Sequence, residues 1–230
     1  MLRDYQQQGV SATVKKDIGV IVAPPGSGKT LIGLKIIADK QQPALIVVHR
    51  KQLMEQWAER IATFLGIPTH EIGKIGQGKY KPGKLITLAT IQSLVKTIAN
   101  TSNSDFTSSF GTILIDECHH IPAETYRSTI QQFNSYYQYG FTATPFRKYD
   151  DGKLIFIHLG DVITEISSQQ VTKSPQPRIV IRDTSLDVPY NQKTDQFETL
   201  SKILVHDSER NSLISKIYLK NLATESASWY

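Results

Sequence analysis

The chain has 230 residues, 40% apolar and 20% charged, with a formal net charge of +5; that is enough to bury a large core, as one α/β domain with an appendage or two small domains. Its single cysteine, Cys118, excludes an internal disulfide and a cysteine-based zinc cluster and fits a reducing, cytoplasmic setting. Met1 to Gln6 lacks an apolar signal segment and no stretch approaches the roughly 18 apolar residues of a membrane span, so no membrane role is expected, while the basic excess permits nucleic-acid binding without requiring it.

Residues 4 to 15 carry Tyr5, Val10 and Val14 at near-helical spacing and predict a short helix that bears Gln6. Ile18 to Val22 reads as a buried strand, and Ile32, Leu34, Ile36 and Ile37 as the apolar residues of a helix. Between them lies Ala23-Pro24-Pro25-Gly26-Ser27-Gly28-Lys29-Thr30. Two glycines let this loop turn and present successive backbone N–H groups, and the helix behind it points its positive dipole end at the same place. The pattern is that of a Walker A loop with Ala23 in place of the first glycine, and it predicts ATP and Mg2+ as ligands. Pro25, Gly26, Ser27 and Gly28 would cradle the phosphates. Lys29 would reach the β- and γ-phosphates, and Thr30 would place its hydroxyl on the bridging magnesium ion. A chance glycine and proline surface turn would not need the flanking strand and helix.

Pro43 breaks the chain before the wholly apolar strand Ala44 to Val48, so a parallel sheet is forming. Residues 50 to 65 predict a second amphipathic helix, opened by Arg50 and Lys51, with Leu53, Trp57, Ile61, Phe64 and Leu65 on one side. Glu71 to Lys84, with four glycines and four lysines, reads as a solvated loop before the strand Leu85 to Ala89. Residues 91 to 99 read as helix, Asn100 to Ser109 as an exposed connection, and Thr112 to Ile115 as another buried strand. That strand ends in Asp116-Glu117. A carboxylate at the C-terminal tip of a parallel strand lies where ligands of such sheets bind. Asp116 is placed to hold the magnesium ion through water, and Glu117 to polarise the water that attacks the γ-phosphate.

Asp116-Glu117-Cys118-His119 is a DExH box, and with it the chain resembles the first motor domain of superfamily 2 helicases and translocases. Leu2-Arg3-Asp4-Tyr5-Gln6 resembles that family's adenine-reading segment. Val48-His49-Arg50 through Gln56-Trp57 is similar to its motif Ia, and Ala89-Thr90-Ile91-Gln92-Ser93-Leu94 to its T-x-x-S-L element. Phe141-Thr142-Ala143-Thr144-Pro145-Phe146-Arg147 resembles motif III. The flavour is that of type III restriction-enzyme ATPase subunits and of the helicase in the TFIIH repair and transcription complex.

The resemblance implies an α/β fold: a RecA-like P-loop domain with a mostly parallel central sheet flanked by helices over residues 1 to 171. It also implies a C-terminal extension, residues 172 to 230, of linker and helices leading toward a second motor domain absent from this chain. The activity implied is nucleic-acid-dependent ATP hydrolysis, with nucleic acid, DNA ahead of RNA, as the expected partner. Gln6 would hydrogen-bond the adenine edge, and Lys29, Asp116 and Glu117 would carry the chemistry. His119 would couple the nucleotide site to motif III. Thr142 and Thr144, on a strand that the resemblance puts between the phosphate-loop and Asp116 strands, would relay nucleotide state toward nucleic acid. Arg50, Thr90 and Gln92 would touch backbone phosphates without reading sequence. Trp57 reads as helix core rather than a base-stacking platform. His120 reads as packing or solvent-facing, and the two adjacent histidines not as a metal site.

Further on, Leu159 to Ile163 and His206 to Asn211 resemble segments that follow motif III in those families. Residues 152 to 190, interrupted by Pro175, Pro177 and Pro189, read as short strands and a linker. Residues 195 to 223 read as two helices, the second begun near Asp207 or Ser208 and packing through Leu213, Ile214, Ile217 and Tyr218. The competing class is a P-loop enzyme or switch of another kind, such as a small kinase or GTPase. Thr172-Lys173-Ser174-Pro175 lacks the aspartate of a guanine-reading N-K-x-D segment. A nucleotide-binding scaffold without turnover is the third class, and the intact Asp116-Glu117 pair argues against it.

Overall fold

The structure, a computed structural model, describes residues 1–76, 78–100, 104–120, 123–144, 159–171, 181, 183 and 197–226. Contacts divide the chain into two units, Met1–Pro175 and Gln176–Tyr230. In the first unit the apolar runs form an eight-stranded sheet: β1 Ile18–Val22, β2 Ala44–Val48, β3 Gly73–Gly76, β4 Lys79–Lys81, β5 Ile86–Thr90, β6 Thr112–Ile115, β7 Tyr137–Thr142 and β8 Val162–Glu165. The spatial order is β4-β3-β5-β2-β6-β7-β1-β8, parallel throughout except for the β3/β4 pair. β7 therefore lies between β6 and β1, as the family resemblance implies.

Alternation along each strand sends side chains to two cores, because successive strand residues face opposite sides. Ile21, Ile46, Leu114, Tyr139 and Phe141 pack on one face with the helices α1 (Asp4–Lys15), α2 (Lys29–Lys40) and α3 (Lys51–Leu65). Val20, Leu45, Val47, Ile113 and Ile115 pack on the other with Leu94 of α4 (Ile91–Asn100) and the phenylalanines 106, 110 and 133. The short helices α5 (Ser104–Ser108), α6 (Ala123–Thr129) and α7 (Ser168–Val171) complete this unit. Among the described residues no helix is long and apolar enough to cross a membrane.

Several expectations need correction. Helix α1 buries Tyr5, Gln6, Gly9, Val10 and Thr13, while Val14 is exposed, so the inward stripe runs one position away from the apolar spacing. Phe64 is likewise exposed on α3, whose buried residues are Met54, Trp57, Ala58 and Ile61. The glycine and lysine stretch read as a loop contains the hairpin β3/β4. Ile72 and Ile75 are buried there, and the lysines of edge strand β4 face solvent, where charge discourages pairing with another chain. Within the polar stretch 100 to 109, α5 forms because Phe106 is buried, its ring centroid 5.4 Å from Phe110 and 5.6 Å from Phe133.

The second unit contains α8 (Phe197–His206) and α9 (Ser208–Ser226). Asp207 Oδ1 accepts the Arg210 N–H at 2.7 Å and starts α9, the capping role its residue type favours. Arg210 and Asn211 side chains then donate to the carbonyls of Leu204 and Val205 at 3.1 and 2.8 Å, clasping the junction. Ile214, Ile217 and Tyr218 are exposed, so α9 does not pack through them as expected. The segment 145–147 of the motif III match, the strands expected over 152–158 and most of the linker lie outside the described residues.

Gly33 sets how close α2 comes to the sheet. A Cβ there would stand 2.9 Å from Trp57 Cη2, 3.1 Å from Leu114 Cδ1 and 3.4 Å from Phe141 Cε2. Helix propensity alone favours alanine over glycine by about 1 kcal/mol, whereas overpacking a tight core costs about 1–3 kcal/mol. The ring edge of a buried tryptophan yields less than a flexible side chain, so overpacking wins. Gly33→Ala is expected to lower the midpoint of urea unfolding; an unchanged or higher midpoint would show that α2 has room to move.

Candidate functional site

The loop between β1 and α2 is shaped by two glycines. Gly26 and Gly28 hold left-handed backbone, with φ of +78° and +79°, which residues with a Cβ adopt only at a cost. Ser27 N–H closes a turn on Pro24 O at 3.2 Å, and Gly28 O accepts the N–H groups of Leu31 and Ile32 as α2 begins. The N–H groups of a helix's first turn have no intrahelical acceptor, so this loop gathers donors and the positive dipole end in one place. Pro25 and Gly26 are exposed, Lys29 and Thr30 half-buried, and Ser27 fully buried with its Oγ unpartnered among the described residues.

Gln6 braces this loop. Its amide donates to Ser27 O at 2.9 Å and accepts the Arg3 N–H at 3.0 Å, which also caps the start of α1. A Cβ on Gly28 would lie 2.6 Å from Gln6 Nε2, so the absence of a side chain there lets the glutamine in. Gln6 is only 6% exposed.

Lys29, Glu117, His119 and Thr142 form one line of polar contacts across the ends of β1, β7 and β6. Lys29 Nζ stands 3.1 Å from Glu117 Oε1 and 3.3 Å from Ala23 O. Glu117 Oε2 is 3.4 Å from His119 Nδ1, which is 2.9 Å from Thr142 Oγ1. The Thr142 hydroxyl donates to Thr144 O at 2.9 Å and accepts the Thr144 N–H at 3.1 Å. Which partner donates in the His119–Thr142 contact is set by the imidazole's tautomer.

Asp116 is buried at the tip of β6, its N–H on Val47 O at 2.9 Å. Burial pushes its carboxyl above the usual carboxylate range; the hydrogen bond from Trp57 opposes this, Glu117's charge adds to it, and the Lys29 charge opposes it. Trp57 Nε1 donates to Asp116 Oδ2 at 2.8 Å. Trp57 is core, as the helix pattern predicts, and it also touches the carboxylate, which the pattern does not reveal. The available signal is chemical: an indole N–H on a core position needs an acceptor.

Beyond Glu117 a cleft of about 450 Å³ is lined by His49, Arg50, Gln56, His120 and Thr144 among others. The His120 ring packs 4.4 Å from His49 and 4.0 Å from His119. Burial, followed by the nearby His120 and Arg50, holds His49 below the usual imidazole range. Gln92 Nε2 donates to His49 O at 3.3 Å, and the Thr90 hydroxyl to Ser93 Oγ at 2.9 Å. Register pairs Val48 with Thr90, so Arg50, Thr90 and Gln92 gather at the ends of β2 and β5, apart from the phosphate loop.

The family model for the type III restriction enzyme res subunit matches residues 1–147. The chain is 35% identical over 205 residues to the DNA 3'-5' translocase XPB2 of Sulfurisphaera tokodaii, across 88% of this chain and 44% of that one. It is 30% identical to a putative DNA 3'-5' helicase Rad25 of Haloarcula marismortui, across 86% of this chain and 31% of the relative. The chain thus spans less than half the length of these two curated relatives. The crystal structure of the UvsW helicase from bacteriophage T4 superposes with a TM-score of 0.59 at 21% identity, over 70% of this chain and 58% of that one, a likeness of fold. The chain belongs to the type III restriction enzyme res subunit family, and its first unit has the RecA-like fold of helicase motor domains.

Proposed function

We propose that this chain is the ATP-binding motor domain of a DNA helicase or translocase, hydrolysing ATP to ADP and phosphate when a second RecA-like domain completes its site. The observation that carries this reading is the unbroken polar path from Lys29 through Glu117 and His119 to Thr142. A kinase or GTPase has no use for a strand-end hydroxyl wired to its hydrolytic carboxylate.

The residues fit a magnesium nucleotide: a donor-rich loop, an unpartnered buried Ser27 Oγ, the half-buried Thr30 and two adjacent carboxylates. Magnesium, when bound, would be held by Thr30 and Asp116 and would draw charge from the phosphate oxygens. Pro25, Gly26, Ser27 and Gly28 cradle the phosphates, and Lys29 neutralises them. A triphosphate in the loop competes for Lys29 Nζ and so releases Glu117 Oε1 to orient and deprotonate the attacking water. His119, whose Nδ1 lies against both the Glu117 carboxylate and the Thr142 hydroxyl, registers that release and passes it to Thr142 and Thr144. Gln6 keeps one amide hydrogen beyond its bond to Ser27 O, and this is the donor offered to an adenine edge.

Arg50, Thr90 and Gln92 hold backbone phosphates of DNA at the ends of β2 and β5, which positions the strand without reading it. DNA rather than RNA is supported by relatives named as DNA translocases and helicases. The opposite side of the γ-phosphoryl group falls to the second RecA-like domain, in keeping with relatives more than twice as long as the part matched. The one cysteine, Cys118, is buried, and burial pushes its thiol up to about 12, which leaves it inert; a cytoplasmic site of action rests on the lack of cysteines to pair.

Lys29→Ala is expected to abolish ATP binding in calorimetric titration. Glu117→Gln is expected to keep binding while hydrolysis, measured with the second RecA-like domain present, falls about 10²–10⁴-fold. Unchanged ATP affinity in the lysine variant would remove the phosphate loop from the reading. For nucleic acid, fluorescence anisotropy on mixed-sequence duplexes should show affinity that falls with salt and ignores sequence. Arg50→Ala should lower the salt slope by about one; a slope unchanged by that substitution would move the phosphate contact elsewhere.

A further inference from the structure

The Trp57–Asp116 hydrogen bond is unusual for a core tryptophan. A buried indole N–H is satisfied by any backbone carbonyl, whereas a carboxylate taken out of water carries a desolvation cost that packing alone gives no reason to bear. Here the bond is short, 2.8 Å, the indole is 1% exposed and Asp116 8% exposed. Among the described residues Trp57 is the one side chain that hydrogen-bonds to this carboxylate. The ring has little freedom to tilt, because its edge fills the space over Gly33 of α2. Trp57 also belongs to α3, whose N-cap is Arg50, so the carboxylate is tied to the helix that opens beside the cleft.

We propose that Trp57 is a positioning residue for the magnesium nucleotide: its indole N–H fixes the rotation of the Asp116 carboxylate and couples that orientation to helix α3. This rests on the nucleotide reading above. A donor to a metal-holding carboxylate acts through orientation, and losing such a partner typically costs 10–100-fold in metal affinity or activity. Phenylalanine keeps most of the ring and removes only the donor.

The test measures ADP affinity by calorimetry with EDTA and with Mg2+. Trp57→Phe is expected to match the native protein in EDTA and to lose about 10–100-fold of the affinity that magnesium adds. Combined with Asp116→Asn, it should cost nothing more than Asp116→Asn alone. Equal loss with and without magnesium would mark Trp57 as merely structural, and no loss in either would overturn the role as well. A second readout keeps Trp57 itself. The sequence has two tryptophans, so Trp229→Phe leaves Trp57 as the sole indole. Its emission should change when Mg2+ is added to the ADP-bound protein, and Asp116→Asn should abolish that change; emission that ignores Mg2+ would overturn the proposal. A native protein that binds ADP equally with and without Mg2+ would sink the magnesium site and this role together, whereas a native magnesium effect untouched in Trp57→Phe would sink this role alone.

Discussion

Glu117 stands in left-handed backbone at φ +48°, a conformation that costs a residue with a side chain about 1–2 kcal/mol. Such strain persists where the surroundings over-determine it. The Glu117 carbonyl accepts the His120 N–H at 2.9 Å and closes the tight turn Cys118–His120, while the carboxylate spans Lys29 and His119. The reversal stops β6 at Ile115 and turns the chain back toward the end of β7. Without it, His119 would continue away from Thr142 and the contact between them would be lost. The backbone strain is therefore what joins the carboxylate to the neighbouring strand.

Sheet order makes that join necessary. β1 and β6 are separated by β7, two strand spacings of about 4.8 Å each, so the phosphate loop and the carboxylates start from strands that do not touch. Lys29 and Glu117 close the gap over the top of β7 with long side chains. The strand they cross ends in Thr142, which sits beneath the bridge and hydrogen-bonds to its histidine. The contacts thus link the Lys29–Glu117 pair through His119 to the end of β7. Under the proposed reading this is the shortest route by which the nucleotide reaches the motif III strand.

Much of this was legible in the sequence, for physical reasons that can be named. Strands buried on both faces are written as unbroken apolar runs, so β1, β2 and β6 carry their own boundaries. Gly26 and Gly28 stand where only glycine takes the backbone cheaply, which marks the loop without any structure. The hairpin β3/β4 was hidden because glycine density is shared by loops and edge strands, and α5 because one phenylalanine anchors an otherwise polar stretch. Val14 and Phe64 show the limit of periodicity: spacing says which residues share a stripe, not which stripe meets the sheet. The roles of Gln6 and Trp57 were harder still, since each depends on a partner distant in sequence, Ser27 and Asp116.

These last two residues obey one rule. A buried polar group left without a partner costs more than a typical hydrogen bond contributes, so it takes whatever partner the fold brings within reach. Gln6 is carried inward by α1 and meets the carbonyl of the phosphate loop; Trp57 is carried inward by α3 and meets the carboxylate of β6. Neither helix supplies the loop or the carboxylates themselves. Each instead contributes one amphipathic side chain whose apolar body is held by packing and whose polar atom holds a part of the site. Two site elements, a glycine loop and a desolvated carboxylate, are in this way fastened to the helices packed on the same face of the sheet, and the stability of that core is transmitted to the geometry of the site.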